Sequence, residues 1–206
     1  MTEARLKASE IRVSRGGRVI LDGFSLSVSA GETVAVVGEN GSGKTTLLQV
    51  CAGLLEAQSG AVEVSGKIGY CPQEPGLIDL LTADEHLALF GGAHGRVRDL
   101  LARLGFPAAD VDTTVARDLS GGTRQKLNLA LALLGDAEIL LLDEPYQGFD
   151  AGTYVDFWQL THDWRAEHRA VVVVTHLLTE LHRVDRVVEL GGSRHETSRD
   201  NPPGRL

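Results

Sequence analysis

The chain has 206 residues, about the length of one domain, and its 43% of hydrophobic residues can form a core that needs neither a metal nor a disulfide. Its 28 acidic and 20 basic side chains give a formal net charge of −8, which disfavours a broad nucleic-acid interface because such an interface uses many Lys and Arg contacts to phosphates. Two cysteines cannot build a disulfide scaffold, and the sequence shows neither a signal peptide nor an apolar run of the ~20 residues that a membrane span needs. We therefore expect a protein of the reducing cytosol, and from its charge we expect no nucleic-acid partner.

The beginning of the chain contains short β-type runs in which apolar and polar residues alternate. These runs are residues 6–13, 18–21 and 24–28. Gly16-Gly17 and Asp22-Gly23 have the composition of turns between them. The pattern predicts a small N-terminal antiparallel sheet.

A glycine-rich loop lies between an apolar run at residues 33–37, typical of a buried strand, and a helical pattern at residues 44–52. The loop reads Gly38-Glu39-Asn40-Gly41-Ser42-Gly43-Lys44-Thr45. It matches the phosphate-loop pattern G-x-x-x-x-G-K-[ST] in the strand–loop–helix context that this pattern requires. Glycines let successive backbone N–H groups face one anion, and the helix N-terminus adds its positive end. We expect Lys44 to reach the β and γ phosphates of a nucleotide and the Thr45 hydroxyl to bind Mg²⁺.

The middle of the chain changes from β-type to helix-type patterns. A second pair of β-type runs, residues 61–64 and 67–71, is followed by Pro72 and then by segments in which apolar residues recur at helical spacing. The helices predicted there are residues 83–90, 96–104 and 123–134. We expect a helical insert over about residues 74–135.

Two continuous apolar runs, residues 139–142 and 171–174, predict buried strands of a parallel sheet. Between them, aromatic residues and one threonine recur at helical spacing, and we expect them to pack a helix onto the sheet without binding a ligand. They are Tyr154, Phe157, Trp158, Thr161 and Trp164. We expect one domain over residues 1–190 and a disordered tail over residues 191–206, which are rich in Gly, Pro and charge.

Two adjacent carboxylates, Asp143 and Glu144, directly follow the first of these apolar runs. The carboxyl end of a parallel strand lies at the sheet edge where the phosphate loop is also expected. Asp143 is expected to hold Mg²⁺, partly through water, and Glu144 to point to the opposite side of the strand end and polarise a water for attack on a γ phosphate. On its own the pair is also compatible with a solvated strand end.

A second glycine-bearing motif, Leu119-Ser120-Gly121-Gly122-Thr123, has no evident use in kinases or small GTPases. With it, the chain resembles the nucleotide-binding subunit of ATP-binding cassette (ABC) transporters over residues 6–190. The other features found in that family's order are the phosphate loop, Gln73, Asp143-Glu144, Asp150 and His176. The resemblance implies an α/β fold, a phosphate-loop (P-loop) NTPase with a mixed, mainly parallel core sheet, an antiparallel β subdomain at the N-terminus and a small helical insert.

The resemblance further implies a head-to-tail homodimer that sandwiches two ATP molecules. Ser120, Gly121 and Gly122 of one subunit would face the γ phosphate held by Lys44 of the other. Further roles are implied for single residues: a phosphate contact for Thr46, Mg²⁺ or water contact for Gln73, a γ-phosphate bond for His176, and the dimer seam for Asp150.

The chain departs from the family pattern where an aromatic residue usually stacks on adenine, because Arg15 stands at that position. A guanidinium can stack on a base, so Arg15 or Arg18 is a candidate substitute; a solvated surface charge is the alternative for Arg15.

The sequence therefore indicates an ATPase subunit that powers transport of an unknown substrate through a separate membrane permease. The resemblance implies that residues 72–89 contact the permease and that the chain lies on the cytoplasmic face of the membrane. The alternative is a soluble ABC ATPase without a transport role, such as one acting in iron–sulfur cluster assembly. A phosphate-loop kinase would leave Ser120-Gly121-Gly122 unexplained.

Overall fold

The computed structural model describes residues 4–90, 94–176 and 178–191. The strands are β1 (Ala4–Arg15), β2 (Arg18–Ser29), β3 (Thr33–Val37), β4 (Ser59–Val64), β5 (Ile68–Cys71), β6 (Ile139–Asp143), β7 (Ala170–Val174) and β8 (Arg186–Glu189). The α-helices are α1 (Lys44–Cys51), α2 (Ala83–Leu89), α3 (His94–Arg103), α4 (Gly121–Ala132) and α5 (Ala151–Ala166). Apart from its first residue, the tail expected to be disordered, residues 191–206, lies outside the described residues, so the domain bound at residue 190 stays a prediction.

An antiparallel sheet with the order β2-β1-β4 forms the predicted N-terminal β subdomain. The turn predicted at Asp22-Gly23 is wrong, because β2 continues through it. Ile11 pairs with Phe24 and its neighbour Arg12 with Asp22, which leaves Gly23 as the extra residue of a bulge. Gly23 has φ +69°, a left-handed conformation that glycine adopts without strain, so the ladder resumes beyond it.

The β-type runs at residues 61–64 and 67–71 are neighbours in the sequence but do not form a hairpin with each other. β4 pairs antiparallel with β1, whereas β5 pairs parallel with β6, so the two strands belong to different sheets. Their burial explains the separation: nearly every residue of β4 is exposed, while Gly69 and Cys71 of β5 are buried beneath α4. A Cβ at Gly69 would lie 1.9 Å from the Ala132 carbonyl oxygen, so only glycine permits this close packing.

The core sheet has the order β5-β6-β7-β3-β8, and each of its neighbouring strand pairs within the described residues is parallel. The core sheet is thus wholly parallel there rather than mixed, because the antiparallel strands form their own sheet. Every residue of β3, β6 and β7 is buried, as expected of strands covered on both faces. The carboxyl ends of all five strands meet at one edge, which positions the loops described below.

Two hydrophobic clusters cover the two faces of this sheet. Leu140 and Leu142 of β6 point into the cluster formed with the helices α2 to α5, whereas Ile139 and Leu141 point into the cluster formed with α1 and the antiparallel sheet. Each buried leucine or isoleucine contributes about 1.5–3 kcal/mol relative to an exposed one.

The aromatic residues predicted to pack α5 onto the sheet do so. Phe157, Trp158 and Trp164 are at most 5% exposed, and Phe157 contacts both tryptophan rings edge-on. Among the described residues, no helix is long and apolar enough to cross a membrane.

The C-terminal end of β5 is tied to α4 by a buried amide. Asn128 Nδ2 donates hydrogen bonds to the Pro72 carbonyl oxygen at 2.8 Å and to Cys71 Sγ at 3.2 Å. Asn128 is buried, and so is Gln125, which also donates to Cys71 Sγ. This contact fixes where the segment carrying Gln73 leaves the sheet.

Candidate functional site

The glycine-rich loop connects β3 to α1, as the sequence predicts. Gly43 immediately precedes α1 with φ +102°, and a Cβ there would lie 2.9 Å from the Ile20 side chain. Glycine is therefore required both by the backbone conformation and by the neighbouring hairpin. Lys44, Thr45 and Thr46 follow in the first turn of the helix.

Lys44 is only 7% exposed and lies across its own loop. Its Nζ donates hydrogen bonds to the carbonyl oxygens of Gly38 and Glu39, both at 2.8 Å. The ammonium group is thereby held among the loop residues, where a phosphate group would also bind.

Asp143 ends β6 and is 1% exposed. Burial raises the pKa of its carboxyl group, as does the charge of Glu144, while a hydrogen bond from Thr45 and the charge of Lys44 act in the opposite direction. Asp143 Oδ2 is buried and has no hydrogen-bond partner among the described residues. A buried carboxylate oxygen without a partner, next to a threonine hydroxyl, fits a hard cation that prefers oxygen ligands.

The Glu144 side chain contacts two other predicted site residues. His176 Nδ1 lies 3.1 Å from Glu144 Oε1, and Gln73 Nε2 donates a 3.4 Å hydrogen bond to Glu144 Oε2. Glu144 has φ +45°, and its backbone N–H donates to the Val174 carbonyl oxygen at 3.1 Å. The strand alternation that led us to expect Glu144 and Asp143 on opposite sides ends here, and both residues line the same cavity.

This cavity has a volume of about 780 Å³, the size of a small-molecule site. It is lined by Arg15, Arg18, Ile20, Asn40, Gly41, Gly43, Lys44, Thr45, Thr46, Gln73, Asp143, Glu144, Gln147 and His176. Of the other phosphate-loop residues, Gly38 and Glu39 contact Lys44, and Ser42 has a buried Oγ. The cavity thus joins the phosphate loop to the carboxylate pair and to the loops that end β5 and β7.

Arg15 and Arg18 face each other across the β1–β2 hairpin and both line the cavity. The described residues that line it include no Phe, Tyr or Trp. Sequence reasoning missed Ile20 and Gln147: Ile20 looks like any strand residue, whereas Gln147 could have been suspected from its place three residues after Glu144.

The serine–glycine motif lies outside this cavity, at the start of α4. Ser120 is the exposed N-cap, and its Oγ accepts a 3.1 Å hydrogen bond from the Thr123 N–H, so the helix begins two residues earlier than predicted. Gly122 packs on the loop after β6, since a Cβ there would lie 2.3 Å from the Gly148 carbonyl oxygen.

Asp150 is likewise exposed, and it caps α5. Its side chain accepts hydrogen bonds from the Thr153 N–H at 2.9 Å and the Thr153 hydroxyl at 2.8 Å, which lower the pKa of the carboxyl group. Because the contact between Gly122 and Gly148 joins the two segments, Ser120 and Asp150 belong to one continuous part of the molecule.

A parallel sheet whose carboxyl edge carries a phosphate loop and a buried aspartate defines a P-loop NTPase. Comparison with known proteins gives the family within that class. The sequence profile of the family described as ABC transporter matches residues 21–147. The aliphatic sulfonates import ATP-binding protein SsuB of Corynebacterium glutamicum is 35% identical over 95% of this chain and 84% of its own length. The zinc import ATP-binding protein ZnuC of Paracoccus denitrificans is 41% identical over 90% of this chain and 75% of its own length.

Solved structures agree with the sequence relatives. The dimeric structure of MJ0796, described as a bacterial ABC transporter cassette, superimposes with a TM-score of 0.81 at 27% identity and covers 90% of this chain and 94% of that one. The same cassette is known in a post-hydrolysis state bound to ADP and Pi. The chain belongs to the ABC transporter family and is an ATP-hydrolysing subunit coupled to transport. The predicted family and fold class are confirmed.

Proposed function

We propose that this chain binds ATP with Mg²⁺ in the 780 Å³ cavity and hydrolyses it with Glu144 as general base, in a dimer that drives a separate membrane permease. One observation carries the proposal: Lys44, Asp143, Glu144 and His176 line a single cavity at the carboxyl edge of the sheet. Such an arrangement supplies phosphate binding, a cation ligand and a base within one site.

The hydrolytic step needs a water molecule held beside Glu144. As the water oxygen bonds to the γ phosphorus, Glu144 accepts the water proton, the bond from that phosphorus to the β–γ bridging oxygen breaks, and ADP and phosphate result. Lys44 and the loop N–H groups stabilise the charge that develops on the phosphate oxygens. The contacts from His176 and Gln73 orient the Glu144 carboxylate.

Thr45 and Asp143 would hold Mg²⁺, with Gln73 beside them, since Asp143 Oδ2 is a buried hard oxygen ligand with no hydrogen-bond partner in the described part of the chain. When bound, the cation would neutralise charge on the β and γ phosphate oxygens.

The dimer is proposed because Ser120, Gly121 and Gly122 do not line their own chain's cavity. Ser120 and Asp150 are exposed, as groups that meet a second subunit must be before assembly. The dimeric structure of MJ0796 supports a pair of cassettes, and a homodimer is the simplest such pair. In it, Ser120 of one subunit would complete the γ-phosphate site of the other.

Contact with the adenine ring of ATP is assigned to the β1–β2 hairpin, which carries Arg15 and Arg18. Arg15 and Arg18 are the cationic residues of the cavity that belong to neither the phosphate loop nor α1, and a guanidinium plane can stack on a purine. Ile20 beside them adds an apolar contact.

The permease is proposed to bind the segment that follows Gln73. Several large apolar side chains stand exposed there, and a group of exposed apolar residues is typical of a protein–protein contact. They are Ile78 (48% exposed), Leu80 (65%), Leu89 (59%) and Phe90 (59%). Since SsuB and ZnuC are import ATP-binding proteins by name, transport is favoured over the non-transport alternative. The chain would then lie on the cytoplasmic face of the membrane.

Substitution of the proposed base tests the hydrolytic role. Glu144→Gln is expected to lower the ATP turnover of the full chain by about 100-fold or more, because the amide cannot accept the water proton, while ATP binding is retained. Glu138→Gln is the matched control, because it makes the same change of charge directly before the first residue of β6, far along the strand from Glu144. Glu138 forms a half-exposed ion pair with Arg5 there. Turnover of Glu144→Gln equal to that of the control would remove Glu144 as the base.

A further inference from the structure

Tyr146 is buried two residues after Glu144, in the loop that follows β6. Its hydroxyl shares a hydrogen bond with the Thr175 hydroxyl. Thr175 is 1% exposed and directly precedes His176. Neither Tyr146 nor Thr175 lines the nucleotide cavity, so their hydroxyls have no direct access to a bound substrate.

This bond joins the two loops that carry Glu144 and His176. Two other contacts span the same loops: the Glu144 N–H donates to the Val174 carbonyl oxygen, and Glu144 Oε1 approaches His176 Nδ1. The histidine side chain is 55% exposed, so water competes for its contact with Glu144. The bond between Tyr146 and Thr175 is buried and does not face that competition.

Ring packing fixes the direction of the Tyr146 hydroxyl. The Tyr146 ring lies 5.1 Å from the Tyr154 ring and 5.4 Å from the Phe157 ring, in edge-on arrangements, and 6.1 Å from that of Trp158. All three partners belong to α5, which itself packs on the core sheet. The tyrosine is therefore held by a rigid element on one side and bonded to the His176 loop on the other.

We propose that Tyr146 is a positioning residue for ATP hydrolysis: its bond to Thr175 keeps the His176 loop in place against Glu144. The inference rests on the proposed function, in which Glu144 is the general base and the contact from His176 orients its carboxylate. Loss of the Tyr146 hydroxyl should slow the chemical step, because His176 is no longer held beside Glu144. It should leave nucleotide binding intact, because no residue of the cavity is changed.

The test is Tyr146→Phe in the full chain, assayed for steady-state ATP hydrolysis. We expect kcat to fall about 5- to 10-fold, the effect of one hydrogen bond on a barrier, with KM for ATP changed less than about twofold. Tyr154→Phe is the control, since it removes a hydroxyl from the same aromatic group but on α5 rather than on a site loop. Equal kcat in the two variants, or a raised KM with unchanged kcat, overturns the proposal.

Substitutions of Thr175, the hydrogen-bond partner of Tyr146, keep the test independent of any folding defect in Tyr146→Phe. Thr175→Ser retains the hydroxyl and should retain kcat, whereas Thr175→Val should reproduce the fall, and Tyr146→Phe should add little to it. The fall should also be absent in a His176→Ala background, because the histidine is the group being positioned. Additive effects with Thr175→Val, or an unchanged fall without His176, overturn the positioning role.

The same series separates this inference from the proposed function. If Glu144→Gln abolishes turnover while Tyr146→Phe matches Tyr154→Phe, the positioning role fails and the catalytic role of Glu144 stands. If Glu144→Gln keeps full turnover, the proposed base is wrong whatever Tyr146→Phe does.

Discussion

Gly122→Ala is expected to destabilise the chain even though it exchanges a glycine for a better helix former. The added Cβ would lie 2.3 Å from the Gly148 carbonyl oxygen, whereas ordinary contact begins at 3.4 Å, so α4 and the loop after β6 must separate by about 1 Å. Overpacking of this kind costs about 1–3 kcal/mol, and the gain in helix propensity returns at most about 1 kcal/mol. We expect a net loss of about 1–2 kcal/mol in the free energy of unfolding.

Gly121→Ala provides the matched control, because nothing lies within 4 Å of a Cβ at the neighbouring position. It should leave the free energy of unfolding unchanged or raise it slightly. Urea unfolding without nucleotide measures both variants and avoids any effect on catalysis. For an m-value of about 2 kcal/mol per M, the two midpoints should differ by roughly 1 M. Midpoints that coincide would refute the close contact between Gly122 and Gly148.

Two further results are expected. Ser120→Arg should leave ATP binding by the isolated chain nearly intact and abolish hydrolysis, because Ser120 is exposed and lies outside its own chain's cavity; equal loss of both would mean that Ser120 acts within its own subunit. When the tagged chain is purified from detergent-solubilised native membranes, a membrane protein with several spans should co-purify with it. Leu80→Asp should reduce the amount of co-purified membrane protein by about tenfold. Val155→Asp, at a similarly exposed position on α5, should leave that amount unchanged. Recovery with no membrane protein would contradict the permease contact.

Local sequence patterns predict the phosphate loop and the carboxylate pair because each feature depends on a few neighbouring residues. Gly43 and Lys44 occupy positions that backbone conformation and charge dictate, so their roles can be anticipated without the fold. Serine at position 120 is a strong helix cap, but the helix that it begins was predicted two residues too late, since glycine at 121 and 122 weakens the helical pattern.

Features that depend on distant parts of the chain were missed. Nothing within residues 61–71 reveals that β4 and β5 enter different sheets, because the choice depends on their partners β1 and β6. Asp22-Gly23 has the composition of a turn, and only the opposing strand makes it a bulge. The bond from Tyr146 to Thr175 joins residues that are 29 positions apart, beyond the reach of any local pattern.

The amide of Asn128 makes the serine–glycine helix and the Gln73 segment mechanically one piece. α4 begins at the motif, and two turns later Asn128 donates a hydrogen bond to the Pro72 carbonyl oxygen. In the last turn of α4, the Ala132 carbonyl oxygen packs directly on Gly69. If the helix moved without the segment, buried polar groups would lose their hydrogen bonds, and each such loss costs about 1–3 kcal/mol of free energy. A displacement of the Gln73 segment where it leaves β5 is therefore expected to move α4 as well, and with it Ser120 at the start of that helix.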